Sequence, residues 1–535
     1  MPAIVYQTDK RTGITYVYES VSYWDKEKQQ SRAKRKLIGK LDPETGELVP
    51  TRKKRTETET EARKPGPSPA TEVTREFCGA TYLLDAIGSQ IGITEDLRTC
   101  FPDRYQQILS VAYYLILEDK APLLRFPKWS RLHRHPYGRT ITSQRSSDLF
   151  ASITEDERYQ FFLLQAKRRT DKEFWCCDTT SISSYSEQLR QVRYGKNKED
   201  DRLPQINLAL LFGRDSNLPF YYRKLPGNIT DVTTVKNLLQ EMDFLNHRKV
   251  RLVMDRGFCS ESNVNELFIE HMKFIVSTKT SLRFVRSELD RVQPTMRHWD
   301  RYDPQTELYM HCETIQWNYS QPRPYKKDVL RDKRGLYLHI YYNSERAAEE
   351  ERRFYTLLTE LKAELLKDKR KAAHEKLYKK YFQVMKTPRR GTRVEPDEAA
   401  IAEAKQYHGY FTLLSNVIKD PKEALQVYRN KDLTEKAFGN LKERLNMRRM
   451  LVSSQASLDG KLFVQFVALI FLSFIKKRMQ DEGLFAKHTL HGLLDELDVI
   501  ECYHYPGSKP RYSEITKPQK ELYEKMGVAP PASLQ

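Results

Sequence analysis

The sequence predicts an α/β protein: a core of strands and helices interrupted by a β-containing insertion, preceded by a β-rich region and then a helical one. Three observations carry this. Between 171 and 285, short apolar runs and amphipathic helical stretches follow one another in the order β-β-β-α-β-α-β. Before that, residues 76–170 show a helical apolar period ("GATYLLDAIGSQIGI", "RYQQILSVAYYLILED"), while 1–50 alternate as strands do. The third is charge. A formal net charge of +19 over 535 residues favours an anionic polymer or surface as partner, with nucleic acid first.

The first 50 residues form the N-terminal β-rich basic region, with strand texture in "ITYVYESVSYW" and turn signals at "DKRTG" and "DPETGEL". "SRAKRKLIGK" in this region, and "KWSRLHRHPYGR" further on, are candidate phosphate contacts, although charge runs are commonly solvated faces. Residues 51–75 are charged, Pro-rich and almost free of large apolar residues, and read as a linker. Residues 76–170 are assigned as a helical, DNA-binding domain.

The first part of the core covers 171–285. "EFWCCDTTS" is an apolar run ending in Asp178, and "INLALLF" and "LPFYYRKL" are two strands joined by "GRDSN". "DVTTVKNLLQEMDFL" is an amphipathic helix with Asp231 as N-cap. "VRLVMD" is a strand ending at Asp255; the helix "SESNVNELFIE" and the strand "KFIVSTK" follow. A three-strand meander followed by alternating helices and strands is the layout of an RNase H-like core. In that fold type the first and fourth strands are neighbours, which would bring Asp178 beside Asp255; spacing alone does not.

Residues 286–416 interrupt this pattern as a β-containing insertion domain. It holds the strands "ELYMHCETIQW" and "GLYLHIYY" and a long charged helix over 344–382, able to pack internally or to pair subunits. Residues 417–480 supply the last part of the core, and 481–535 a C-terminal helical region. "LFVQFVALIFLSFI" (462–475) is shorter than the ~20 residues a bilayer requires and contains Gln465 and Ser473, so it reads as a buried helix. No signal-peptide core opens the sequence, and none of the seven cysteines lies in a C-x-x-C or at zinc spacing from a histidine, His133 and His135 included. The expectation is a cytoplasmic protein with reduced thiols, no membrane partner and no structural metal.

Chemistry concentrates in "YRNKDLTEKAFGNLKERLNMRRM" (428–450). On one helix, Tyr428, Lys431, Glu435 and Lys442 would fall within roughly 60° of its surface, with Leu433, Ala437, Leu441 and Leu445 on another face. Such an edge can ligate a metal with its carboxylate while the cations hold phosphates. The same letters admit a structural role: "DLTE" is a capping box with Asp432 as N-cap and Glu435 at N3. Tyr428 would then belong to the preceding helix, begun at Asp420–Pro421. Asp178 and Asp255 are likewise ordinary residues at strand ends and turns. Together, two strand-terminal aspartates and a helical glutamate can bind two divalent cations about 4 Å apart for in-line displacement at phosphorus. Mg²⁺ requires such hard oxygen ligands.

These segments resemble a DDE-class insertion-sequence transposase, of the cut-and-paste superfamily with a Tyr-x2-Arg-x3-Glu-x6-Lys signature. "CDTTS" is similar to the region of the first catalytic aspartate, "LVMDRGF" to that of the second, and "YRNKDLTEKAFGNLK" to the signature. Lys431 stands where the family has arginine and offers phosphate a point charge without a bidentate fork. The resemblance implies cleavage at the inverted-repeat ends of a mobile element and joining of the 3′-OH ends to target DNA. It makes Asp178, Asp255 and Glu435 the catalytic and metal-binding residues, with Mg²⁺, or Mn²⁺ in its place. Tyr428, Lys431 and Lys442 would grip DNA. It further implies a homodimer or larger complex on DNA in a prokaryotic, nucleoid-associated setting, and a hairpin route with a flipped base on an aromatic of the insertion. Trp317 is the candidate aromatic, against a packing role in the sheet. Two alternatives stand beside this: an RNase H-like nuclease or resolvase without strand transfer, and a non-catalytic DNA-binding derivative.

Overall fold

The computed structural model describes residues 2–51, 73–119, 121–168, 173–184, 189, 191–195, 203–228, 251–323, 325–326, 328–387, 391–429, 439, 445, 449–450, 454–505 and 509–532. The chain divides into two compact units, Met1–Glu72 and Val73–Gln535. The first is an antiparallel sheet of β1 (Ala3–Thr8), β2 (Thr15–Asp25), β3 (Gln30–Leu41) and β4 (Leu48–Val49) in that order. Its turns fall where the sequence signals them. Asp9 accepts the Arg11 N–H at 2.8 Å and Asp42 that of Glu44 at 2.9 Å, while Gly13 and Gly46 take φ of 71° and 70°. The basic run lies in β3, exposed along most of its length.

In the second unit, β5 (Thr74–Phe77) leads into the helices Gly79–Gln90, Ile93–Cys100, Tyr105–Leu117, Phe126–Trp129, Ser143–Ser152 and Glu155–Arg168. These do not enclose a core of their own. Phe101 and Phe161 pack their rings on Phe463 at 5.1 and 5.2 Å, and Phe162 packs on Phe466 at 5.6 Å. Both partners lie on the helix Gln455–Asp481, which is long and apolar enough to cross a bilayer, yet 83% of its most apolar stretch is buried inside the fold. Its expected burial is therefore met by protein, and Asp459 on its first turns is ion-paired with Lys224 and Arg158.

A mixed sheet of ten strands forms the middle of the unit. Its meander is β6 (Phe174–Ser184), β7 (Gln205–Gly213) and β8 (Pro219–Pro226), all antiparallel. β9 (Arg251–Met254) then lies parallel to β6, and β10 (Lys273–Thr278) parallel to β9. The adjacency of first and fourth strands expected from the sequence is present. β6 is buried at every position, as befits a strand covered on both faces. The helix Glu261–Ile269, N-capped by Ser260, connects β9 to β10. The expected helix beginning near Asp231 lies outside the described residues.

The interrupting segment does not stand apart from this sheet. After β11 (Tyr302–Asp303), the long hairpin β12 (Leu308–Arg323) and β13 (Asp328–Tyr342) joins it through β16 (Tyr410–Ser415), giving β11-β12-β13-β16-β10-β9-β6-β7-β8. The stretch expected as one helix over 344–382 is two, Ser344–Leu366 and Glu375–Tyr381. Asp368 breaks it with a φ of 51°, a conformation aspartate tolerates. The two helices pack on each other and on the hairpin β14 (Phe382–Thr387) and β15 (Gly391–Pro396), burying Leu361, Leu365, Tyr378 and Val394 in a small core. Of the two roles open to the charged stretch, internal packing is present. β17 (Arg449–Met450) returns to pair with β6, and β18 (Glu501–His504) pairs with β5 and β19 (Arg511–Tyr512).

His339 sits fully buried in β13 with Nε2 3.1 Å from the Ile418 carbonyl, and burial holds its imidazole down at about 4. Because the unfolded value is about 6.5, the folded protein binds fewer protons between those limits. Its contribution is full above 6.5 and is lost as pH falls toward 4, by at most on the order of 3 kcal/mol. Thermal midpoints should fall over that range, and His339→Gln should lessen the fall; an unchanged profile would show that His339 is not the titrating group.

Candidate active site

Strand register lines up the acidic residues. Cys177 of β6 pairs with Met254 of β9, which pairs with Val276 of β10. One step further along these parallel chains stand Asp178, Asp255 and Ser277, on neighbours about 4.8 Å apart. β9 stops there, while β6 runs on beside β7; among the described residues its other edge is taken up again at Ser183–Ser184 by β17. Asp178, fifth of the eleven residues of β6, therefore does not close its strand as the sequence pattern suggests; it sits where the parallel neighbour β9 ends. It is 6% exposed, and its Oδ1 accepts the Thr179 N–H at 2.7 Å. Asp255 caps the short turn Arg256–Phe258 by accepting the Arg256 N–H at 2.8 Å. The turn role and a place at the site coincide in this residue.

Tyr428 completes the described cluster: its hydroxyl donates to Asp255 Oδ1 at 3.0 Å. It stands near the end of the helix Pro421–Arg429, begun where Asp420–Pro421 signals a start. Asp420 accepts the Glu423 N–H at 3.0 Å, and Ala424, Leu425 and Val427 are buried. The turn before this helix is clamped by polar side chains. Asn416 accepts the Phe274 N–H at 2.9 Å and donates to the Met272 carbonyl at 2.8 Å. Ser415 Oγ accepts the Val417 and Ile418 N–H groups, and the Tyr341 hydroxyl donates to the Pro421 carbonyl at 2.7 Å. A helix fixed at its start this firmly delivers Tyr428 to a defined place.

Beside Asp255 and Tyr428 opens a cleft of about 930 Å³ lined by Arg256, Lys279, Arg286, Arg346 and Lys380. Arg286 is ion-paired with Glu403 at 2.9 Å and Arg346 with Glu350 at 2.8 Å. Asp255 thus stands in the lining of a cleft whose cations outnumber its carboxylates, an arrangement suited to a phosphate-bearing polymer. Lys279 follows the third parallel strand, in "KFIVSTK", and the strand-end rule that singled out the two aspartates reaches it too. Arg286, Arg346 and Lys380 come from the interrupting segment, and no local motif marks them.

Of the expected site residues, Asp178, Asp255 and Tyr428 are brought to one region. Lys431, Glu435 and Lys442 lie outside the described residues, and with them the proposed common helix edge. The chain on either side is placed: Tyr428 at Asp255, and Leu445 buried with its carbonyl accepting from Gln465 at 2.7 Å. Trp317, the candidate base-stacking aromatic, lies in β12. It is 8% exposed, its indole N–H donates to Asn265 at 3.0 Å, and Phe284 packs edge-on at 5.3 Å. Its ring is occupied by protein, so the packing role is the one present.

The second unit thus brings two aspartates on neighbouring strands, a phenol and a basic cleft to one region. The model of the transposase DDE domain matches residues 169–471, more than half of the chain, and the protein belongs to that family. Among solved structures the chain is similar to a piggyBac transposase synaptic complex with hairpin DNA, at 10% identity and a TM-score of 0.38, covering 85% of this chain and 80% of that one. A comparison with curated proteins found no match.

Tyr428→Phe removes the hydroxyl that donates to Asp255. Losing a carboxylate's outer partner commonly costs 10- to 100-fold, so DNA cleavage should slow by about that factor with the thermal midpoint unchanged. Wild-type rates in the variant would mean the hydrogen bond does not orient Asp255.

Proposed function

We propose that this protein is a DNA transposase that cleaves the inverted-repeat ends of an insertion sequence and joins the 3′-OH ends to target DNA. The observation that carries the proposal is the placement of Asp178 and Asp255 one step beyond the last pair, Cys177 and Met254, of adjacent parallel strands, within a family match that also spans Glu435. The strand order β10-β9-β6-β7-β8, with a meander followed by parallel strands, supports an RNase H-like core.

The donor set suits a hard divalent cation. Asp178 and Asp255, each one step beyond the paired Cys177 and Met254, offer carboxylate oxygens, the ligand type that Mg²⁺ and Mn²⁺ prefer. With Glu435 they would hold the ions, which when bound activate the attacking oxygen and stabilise the leaving one. Tyr428 fixes the rotamer of Asp255 through its hydroxyl. Arg256 and Lys279, at the turns that follow β9 and β10, face the phosphates of a strand laid in the cleft. Lys431 and Lys442 would extend that grip. The exposed basic strand β3 offers further backbone contacts. Holding two ends together calls for a dimer or larger complex on DNA, and a hairpin intermediate is one route for the second strand.

Purified protein, DNA carrying both ends and Mg²⁺ test this directly. Asp178→Ala, Asp255→Ala and Glu435→Gln should each abolish cleavage while binding survives. Pre-cleaved ends should be joined to a target plasmid; cutting without joining would favour the nuclease alternative. Binding should weaken steeply between 50 and 200 mM salt, by about a thousandfold or more if six or more phosphates are contacted. A flat salt response would remove nucleic acid as the partner.

A further inference from the structure

A second cluster of metal-ligating side chains lies away from the carboxylates, on the three-stranded sheet of β5, β18 and β19. Glu76 pairs with Cys502 across the antiparallel ladder, and His504 is two residues further on, so all three share one face. Their donor atoms lie within 4.8 Å of one another. His504 Nε2 is 3.7 Å from Cys502 Sγ and 3.5 Å from a Glu76 carboxylate oxygen. Zinc bound tetrahedrally at ~2.3 Å to sulfur and ~2.1 Å to nitrogen and oxygen sets edges of about 3.6 Å for S···N and about 3.4 Å for N···O. The observed spacings agree to roughly 0.2 Å.

The surroundings are consistent with an ion that stays. Cys502 is fully buried, and the equally buried Cys78 is hydrogen-bonded to its sulfur. The side chains of His504 and Glu76 are 34% and 30% exposed, which leaves a path from solvent. Sulfur, imidazole and carboxylate together select zinc-like ions over Mg²⁺, so this site would not compete with the carboxylates for the same metal. We propose that Glu76, Cys502 and His504 form a structural zinc site, with the fourth position open to water or to Cys78. The ion joins the strand that opens the second unit to one more than 420 residues later, beside the Arg75–Glu501 pair that spans 426 residues. The sequence spacing expected of a zinc site is absent because the two halves of the site come from opposite ends of the unit.

The test uses the full chain, stripped with chelator and titrated with Co²⁺ alone. One equivalent should bring up a sulfur-to-cobalt charge-transfer band, which carboxylate sites cannot give, and one equivalent of Zn²⁺ should bleach it. Cys502→Ser should abolish the band, and His504→Gln and Glu76→Gln should each weaken binding by at least about tenfold. Zn²⁺ should raise the thermal midpoint of the stripped protein, but not that of a His504→Gln, Glu76→Gln double variant. Absence of the band, its persistence in Cys502→Ser, or a Cys78–Cys502 disulfide in the purified protein would overturn the proposal. If Cys502→Ser does not fold, the two half-exposed ligands decide: unchanged cobalt affinity in both variants overturns it equally.

Discussion

The candidate site depends on one register, that of β9 against β6. β9 has only four residues, and its pairing puts Met254 opposite Cys177, so that the next residue on each chain is an aspartate. A slip of one residue would turn Asp255 to the other face of the sheet, away from Asp178. Burial prevents it. Leu252, Val253 and Met254 are fully buried, and β10 holds the far edge of β9 in matching register. The carboxylates are placed by apolar packing beneath them, so substitutions well inside the sheet can change the chemistry at its edge.

Much of this was legible locally. The strand run ending at Asp255, the "GRDSN" turn and the Asp420–Pro421 helix start are signals carried by a few neighbouring residues, and the structure places each as expected; the run through Asp178 continues as strand to Ser184, beyond the end expected of it. What could not be read involves partners distant in sequence. Asn416 bridges to Met272 and Phe274, and His339 to Ile418; as letters these are unremarkable polar residues. Strands β12 and β13 look like any hairpin, and nothing local says that they extend the main sheet. The packing of Trp317 was not legible either, because an aromatic in a strand has the same local signature whether it faces a ligand or Phe284. The three remaining members of the motif, Lys431, Glu435 and Lys442, lie outside the described residues.

The charge of the chain has an internal organisation that the total of +19 conceals. In the cleft, Arg286 and Arg346 are already engaged by Glu403 and Glu350, and both also lie over aromatic rings. A phosphate entering there would exchange with a carboxylate rather than meet a bare cation. Such exchange keeps the guanidinium groups aligned beforehand and lowers the net gain on binding, which favours recognition by geometry over indiscriminate adhesion.

The helix Gln455–Asp481 has a consequence for how the molecule comes into being. Phe101, Phe161 and Phe162 find their ring partners on it, and β5 finds its partner strand at Glu501–His504. During synthesis the early helices therefore emerge from the ribosome some three hundred residues before the surface that covers them. Until then their apolar faces are exposed, a condition that recruits chaperones and invites aggregation. A nascent chain halted before residue 455 would lack that cover, so packing of the early helices and the late stages of translation are coupled by the order of the elements alone.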